Sequence, residues 1–303
     1  MFRSLVPGEG SEPTRKTMKS GIYAAAAITS ALFTLSPASA QTVSINSGSL
    51  GAAGNGTNTS NVILTLAGPI VGDAATDRAA GYAGGERTTV PFNAALNPQP
   101  STAPFTIEFW AQPNVDPGDG AGPSPLFNRV SSGNRSGWVF FQRSATTGWN
   151  FRMYNGNSGD VGFDLTGGSY TVGAWTHVVA VWTGTAAVLY VNGALADNSN
   201  SGLGGYVSST SATFSIGSYD DGANPFDGGV DETAFYNTAL TGAQIAAHFN
   251  TASSLTPGAY QSLVLGDGAV EYLRNAIPEP STAGLLGLGA IALVGKRRRA
   301  LRK

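Results

Sequence analysis

Between residues 105 and 112 apolar and polar positions alternate without a break. Phe105, Ile107, Phe109 and Ala111 fall on one side, and Thr106, Glu108, Trp110 and Gln112 on the other. Side chains two apart share a face in extended chain, so this period predicts a strand with one side in a core. The pattern recurs with Trp149, Phe151 and Met153 against Asn150, Arg152 and Tyr154. Further runs rich in β-branched and aromatic residues are "SGWVFFQR" from 136, "AWTHVVAVWTG" from 174, "AAVLYVNGALA" from 186 and "ATFSIGSY" from 212. Gly, Asn, Ser and Asp separate them, and Asn192-Gly193 supplies the pair that a two-residue hairpin turn favours. Short strands at such spacing predict an all-β sandwich or jelly roll.

One helical pattern stands out. Thr241 followed by Gln244 forms a capping box, and Ile245 and Phe249 make an apolar stripe four residues apart, so one short helix is expected to cover an end of the sandwich. Residues 41–60 lack aromatics and are rich in Ser, Gly, Asn and Thr, which predicts a flexible leader with order beginning near Asn61. The domain is expected over residues 61–255, with 256–276 as a terminal strand or linker.

The two ends read as addresses. From Met18, the expected true start, Lys19 precedes an apolar run from Ile22 to Leu35 and then Ala38-Ser39-Ala40, the three parts of a secretory signal peptide cleaved after Ala40. At the other end the uncharged stretch from Ser281 to Gly295 covers roughly 22 Å as a helix, short of the ~30 Å hydrocarbon core. The basic cluster behind it stays cytoplasmic and leaves the body outside. Pro278-Glu279-Pro280, a hydrophobic run and Arg297, Arg298 and Arg299 resemble the PEP-CTERM sorting signal of exopolysaccharide-producing Gram-negative bacteria. The resemblance implies transient residence in the inner membrane and cutting by an exosortase-type protease, after the export signal peptidase has acted.

The segments "FTIEFWAQP", "WTHVVAVWTGTAAVLYVNGALA" and "FDGGVDETAFYNTALTGAQIAAHF", in this order, resemble the laminin G-like, concanavalin A-like jelly-roll module of secreted bacterial proteins. The resemblance covers about residues 67–251. It implies a jelly-roll β-sandwich, and a Ca²⁺ at the sandwich edge in many relatives.

Charge and chemistry then narrow the function. Residues 41–276 hold 16 of the 19 acids and 7 of the 17 basic residues, a body near −9 with no Lys. Such a surface repels phosphate backbones and excludes nucleic acid as a partner. With no Cys, thiolate nucleophiles and disulfides are absent. Retaining glycosidases need two carboxyls about 5–5.5 Å apart. The glucanases of this architecture place them as Glu-x-Asp-x-x-Glu or Glu-x-Asp-x-Glu, and neither occurs here. Glu108 stands alone on its strand; Asp231 and Glu232 are adjacent, so in a regular strand they face opposite sides. Asp160 and Asp164 have the right spacing but read as solvated positions, and His177 and His248 read as structural.

The acidic loop "YDDGANPFDGGVDE" offers Asp220, Asp221, Asn224, Asp227 and Asp231 as oxygen ligands for Ca²⁺, with Glu86 from a neighbouring loop. Sugar recognition needs exposed aromatic faces with planar polar partners. Among Trp138, Trp149, Tyr154, Tyr219 and Phe226, Trp149 reads as core, and Tyr154 with Asn155, Asn157, Arg129 and Tyr219 is the expected ligand set. The chain therefore reads as an exported, non-catalytic surface or matrix module contacting extracellular polysaccharide or matrix proteins. A glycan-active enzyme and a passive adhesion unit are the alternatives.

Overall fold

The computed structural model describes residues 43–120, 122–130, 133–158 and 160–276. The signal peptide and the sorting-signal residues Pro278, Glu279, Pro280, Arg297, Arg298 and Arg299 lie outside the described residues. Sixteen strands form among the described residues. They are Val43–Asn46 (β1), Gly56–Asn58 (β2), Ile63–Leu66 (β3), Asp77–Tyr82 (β4), Thr88–Val90 (β5), Phe105–Pro113 (β6), Leu126–Arg129 (β7) and Asn134–Gln142 (β8). Trp149–Ser158 (β9), Val161–Gly167 (β10), Thr176–Trp182 (β11), Ala187–Val191 (β12), Ala194–Asp197 (β13), Phe214–Ile216 (β14), Gly228–Tyr236 (β15) and Ala269–Ala276 (β16) follow. Two helices, Gly242–Thr251 (α1) and Ala259–Gly266 (α2), precede β16.

All pairings are antiparallel and build two layers. One runs β10-β9-β8-β7-β14-β5-β2-β1, and the other joins β16 and β4 to β15-β6-β11-β12-β13, with β1 linking the layers through β16. The alternation read from sequence sets the faces. Phe105, Ile107, Phe109, Trp149, Phe151 and Met153 all point into the core between the sheets, where Phe109 meets Phe140 and Trp149 edge to face. Asn192 and Gly193 adopt φ of 50° and 74° at the β12–β13 hairpin, the positive values a type I′ turn needs.

One expectation fails at the edge of the domain. Residues 43–60 are not a flexible leader, because β1 and β2 pair into the sandwich. Their polar side chains are consumed internally: Ser44 Oγ donates to Asn275 Oδ1 at 2.7 Å, and the Tyr272 amide donates to Asn46 Oδ1 at 2.7 Å. Low hydrophobicity there reflects buried hydrogen bonding. For residues 256–276 the strand alternative is the one that forms, since β16 pairs with β1, β15 and β4. Among the described residues two α-helices, not one, flank the sandwich. The α1 capping box forms as read, whereas α2 starts at left-handed Gly258 with no side-chain cap and so gives no start signal.

The polar side of β6 is buried too, beneath these helices. Glu108 is fully enclosed there and accepts from four donors. His177 Nε2 lies 2.8 Å away, His248 Nδ1 2.8 Å, the Tyr236 hydroxyl 2.8 Å and the Tyr260 hydroxyl 2.7 Å. His248 Nε2 also meets Asp267 Oδ2 at 2.9 Å. His248 comes from α1 and Tyr260 from α2, so one carboxylate ties both helices to the sheet. Burial alone would raise the Glu108 carboxyl, but the two imidazoles outweigh it and hold it well below the usual range. Burial lowers His248, and its bonds to Glu108 and Asp267 outweigh that and raise it.

Removing the acceptor leaves two imidazoles and two hydroxyls buried. Glu108→Ala is therefore expected to cost about 3–5 kcal/mol, read from urea unfolding at unchanged m-value. Glu271 behaves oppositely: both its oxygens are buried without a donor, and burial pushes it up to about 8. The unfolded chain ionises this group near 4.5 while the folded chain holds the proton, so stability falls as pH rises from there to about 8. Glu271→Gln is expected to stabilise by roughly 1–3 kcal/mol above that range, with the gain fading towards pH 4.5 in thermal melts across pH.

Candidate functional site: an arginine-roofed sheet face

The outer face of the β7–β10 sheet carries a second aromatic cluster of Phe127, Phe141, Tyr154 and Tyr219. Alternation along β9 sends Arg152 and Tyr154 to this side while Phe151 and Met153 fill the core. Arginines roof the rings. The Arg129 guanidinium sits 5.3 Å from the Phe127 centroid, 5.2 Å from Tyr154 and 4.8 Å from Tyr219. Arg135 lies 5.7 Å from Tyr154, and Arg143 and Arg152 lie 5.5 and 5.4 Å from Phe141. Burial raises the Tyr219 hydroxyl, and Arg129 opposes that shift.

This arrangement gathers Arg129, Tyr154 and Tyr219 from the expected ligand set, in a different role. Tyr154 is 2% exposed and Tyr219 8%, so neither offers a bare ring for a pyranose. The guanidiniums occupy the stacking faces. Asn155 Oδ1 accepts the Asn157 amide at 3.1 Å, which closes a local turn at the strand end and leaves Asn157 exposed. Trp138, Trp149 and Phe226 are all core. On β7–β10 themselves, Asp164 is the one carboxylate, and Arg152 pairs with it at 2.9 Å. Asp160 precedes β10 in the turn, where its carbonyl accepts the Asn155 amide, so the two acids do not form a pair along one strand.

The acidic loop is not assembled as a ligand set. Asp221 Oδ1 caps the Ala223 amide at 2.9 Å, Asn224 Nδ2 donates to the Gly122 carbonyl at 2.7 Å, and Asp227 Oδ1 accepts from Asn114 at 2.9 Å. Asp220 sits half-buried beside them, and Glu86 folds back onto the Ala83 amide. Asp231 leaves the loop altogether, because β15 carries it into the covered face opposite Trp110. There it meets Asp77 and Glu232, the one group of three or more acidic, His or Cys side chains among the described residues whose ligand atoms lie within 4.8 Å of one another.

The expected opposition of Asp231 and Glu232 fails for a backbone reason. From Trp110 to Glu108, β6 takes two steps where β15 takes three, from Asp231 to Ala234. Glu232 is the extra residue, with φ of 51°, and this β-bulge turns both carboxylates to one side. They are close enough for a hydrolytic pair, yet exposures of 3% and 0% keep a sugar out. A further opening of about 250 Å³, beside the stacked Trp110 and Phe249 rings, was not legible in the sequence.

Residues 84–246, more than half of the chain, match the family described as the concanavalin A-like lectin/glucanases superfamily. The chain belongs to that superfamily. Residues 276–299 match the PEP-CTERM protein-sorting motif, which indicates an exported protein. Solved structures match at low identity. An HCR/D mutant matches with a TM-score of 0.50 and 13% identity, over 64% of this chain and 46% of that one. The binding domain of botulinum neurotoxin DC, in complex with SialylT, gives 0.48 and 19% over 66% and 47%. Trypanosoma rangeli sialidase gives 0.43 and 16% over 60% and 29%. The chain thus spans less than half the length of each of these. No curated protein matches it in sequence.

Three cation–π contacts from one side chain make Arg129 the keystone of this face. Arg129→Met is expected to lower stability by about 1–3 kcal/mol and to raise the Tyr219 titration further, read by thermal melts and by ultraviolet titration of tyrosine.

Proposed function

We propose that this protein is a non-catalytic, cell-surface carbohydrate-binding module of a Gram-negative bacterium that holds acidic extracellular polysaccharide on the arginine-roofed face. The observation that carries this reading is segregation of charge. Four of the seven arginines in a body near −9 gather on one sheet face; Arg129 is buried and orders the rings, Arg152 pairs with Asp164, and Arg135 and Arg143 are the half-buried cations left to meet a ligand. Guanidinium groups are planar and weakly hydrated and match carboxylate or sulfate with two parallel hydrogen bonds. Rings beneath them hold each group in place and lower the entropy lost on binding.

Delivery fits the same reading. The PEP-CTERM motif supports processing by an exosortase-type protease, which puts the module where polysaccharide accumulates. The carboxylates that stand close enough for glycoside hydrolysis are closed off from solvent, which favours binding over turnover.

The test compares binding of the full chain to a polyuronate and to a neutral glucan at two ionic strengths. Saturable binding to the polyuronate is expected, weakening as salt rises. Arg135→Gln is expected to weaken it about tenfold, the loss of roughly one charge-assisted contact, while Arg87→Gln leaves it unchanged. Equal binding to both glycans, or insensitivity to Arg135, would contradict the reading.

A further inference from the structure

Arg152 of the roof holds a carboxylate of the protein itself. Strand register sets it directly opposite Asp164, on the same side of β9 and β10. Arg152 Nη2 lies 2.9 Å from Asp164 Oδ2, and the Asn150 side-chain amide donates to Asp164 Oδ1. Burial lowers the Arg152 guanidinium, and its bond to Asp164 outweighs that and raises it. Arg152 also rests on Phe141, 5.4 Å from the ring centroid, and Arg143 lies 5.5 Å from the same centroid. One ring thus carries two guanidiniums, and an internal carboxylate neutralises one of them.

A ligand can replace this contact. The two side chains are 24% and 23% exposed, so solvent and solutes reach the pair. The bond runs through one terminal nitrogen, whereas the strongest arginine–carboxylate geometry uses two parallel bonds. Ion pairs open to water in this way add little to stability, so separating this one costs little. Neither partner depends on the other for its place. Stacking on Phe141 holds Arg152. Asp164 is tied through its backbone, its amide donating to Asn200 Oδ1 at 3.2 Å and its carbonyl accepting the Ser201 hydroxyl at 2.9 Å.

On the assignment of this face to acidic polysaccharide, we propose that Asp164 is an internal counter-ion occupying the seat that a ligand carboxylate takes on Arg152. An incoming carboxylate exchanges one ion pair for another there, and the roof offers Arg152 only once Asp164 has been displaced. The exchange favours a ligand that carries its carboxylates in series. Contacts elsewhere on the roof hold such a chain in place, which raises the local concentration of its next carboxylate against Asp164. A single sugar acid has no second contact and competes from bulk solution with a group tethered beside Arg152. Asp164 thereby selects the polymer over the free monomer and keeps the seat closed to small anions.

The test titrates the full chain with a polyuronate and with the matching monomeric uronate, alongside Arg135→Gln. Asp164→Asn is expected to bind the polyuronate about tenfold tighter, the gain of roughly one charge-assisted contact, with a steeper fall as salt rises. Its preference for polymer over monomer is expected to narrow. Asp160→Asn, the same change of charge in the turn before β10, is expected to bind near the wild-type value. In wild type, which needs no variant, the side-chain ¹⁵N signal of Arg152 is expected to shift as the polyuronate saturates the face. Binding by Asp164→Asn that is unchanged or weaker, while Arg135→Gln still weakens it, would overturn the proposal and leave the polysaccharide site standing. An equal gain from Asp160→Asn, or an Arg152 signal unmoved at saturation, would overturn it as well. Insensitivity to Arg135→Gln would instead remove the site and the proposal together.

Discussion

A single carboxylate accepting four hydrogen bonds fixes how this sandwich is closed. Glu108 sits at the middle of β6, between β15 and β11, with its side chain on the face away from the inter-sheet core. Two imidazoles and two tyrosine hydroxyls converge on it, and two of those donors, His248 of α1 and Tyr260 of α2, anchor the helices to the sheet. In a low-dielectric interior a charged group satisfied this completely holds its neighbours in one arrangement, whereas the same group with a partner missing is strongly destabilising. The helices therefore cover this face by polar bonding as much as by the apolar contacts of Ile245, Tyr260 and Val264.

Asp231, three residues before Ala234, the β15 partner of Glu108, shows the opposite balance. Where Glu108 draws on donors from four side chains, Asp231, Glu232 and Asp77 share one arginine and one tyrosine. The difference originates in backbone geometry. The bulge lies in the ladder with β6, at the residues where the other edge of β15 passes from β4 to β16, and it turns an extra acid inward.

Much of this was legible in the residues, and the failures share a cause. Alternation in β6 and β9 identified the core face correctly, and Asn192-Gly193 and the Thr241 capping box formed as read, because each signal is local. Polar β1, uncapped α2 and the Glu232 bulge were missed because long-range pairing creates them, and no neighbour in sequence reports it. The candidate site divided in the same way. Arg129, Tyr154 and Tyr219 do cluster, but exposure of a ring depends on what packs above it, and four arginines separated in sequence close that face. Asp231 belonged by spacing to the loop and by strand register to Asp77, and register decides which side chains meet.

The chain thus carries two faces with different electrostatic character: a roof of guanidiniums on one sheet, and on the other a covered layer whose carboxylates are closed by protein donors at one centre and left short of them at the next. The most direct measurement is amide hydrogen exchange of the full chain and of Glu108→Gln. Loss of protection across α1 and α2, with β8 and β9 protected as in wild type, is the expected result. Helices protected alike in both proteins would contradict it.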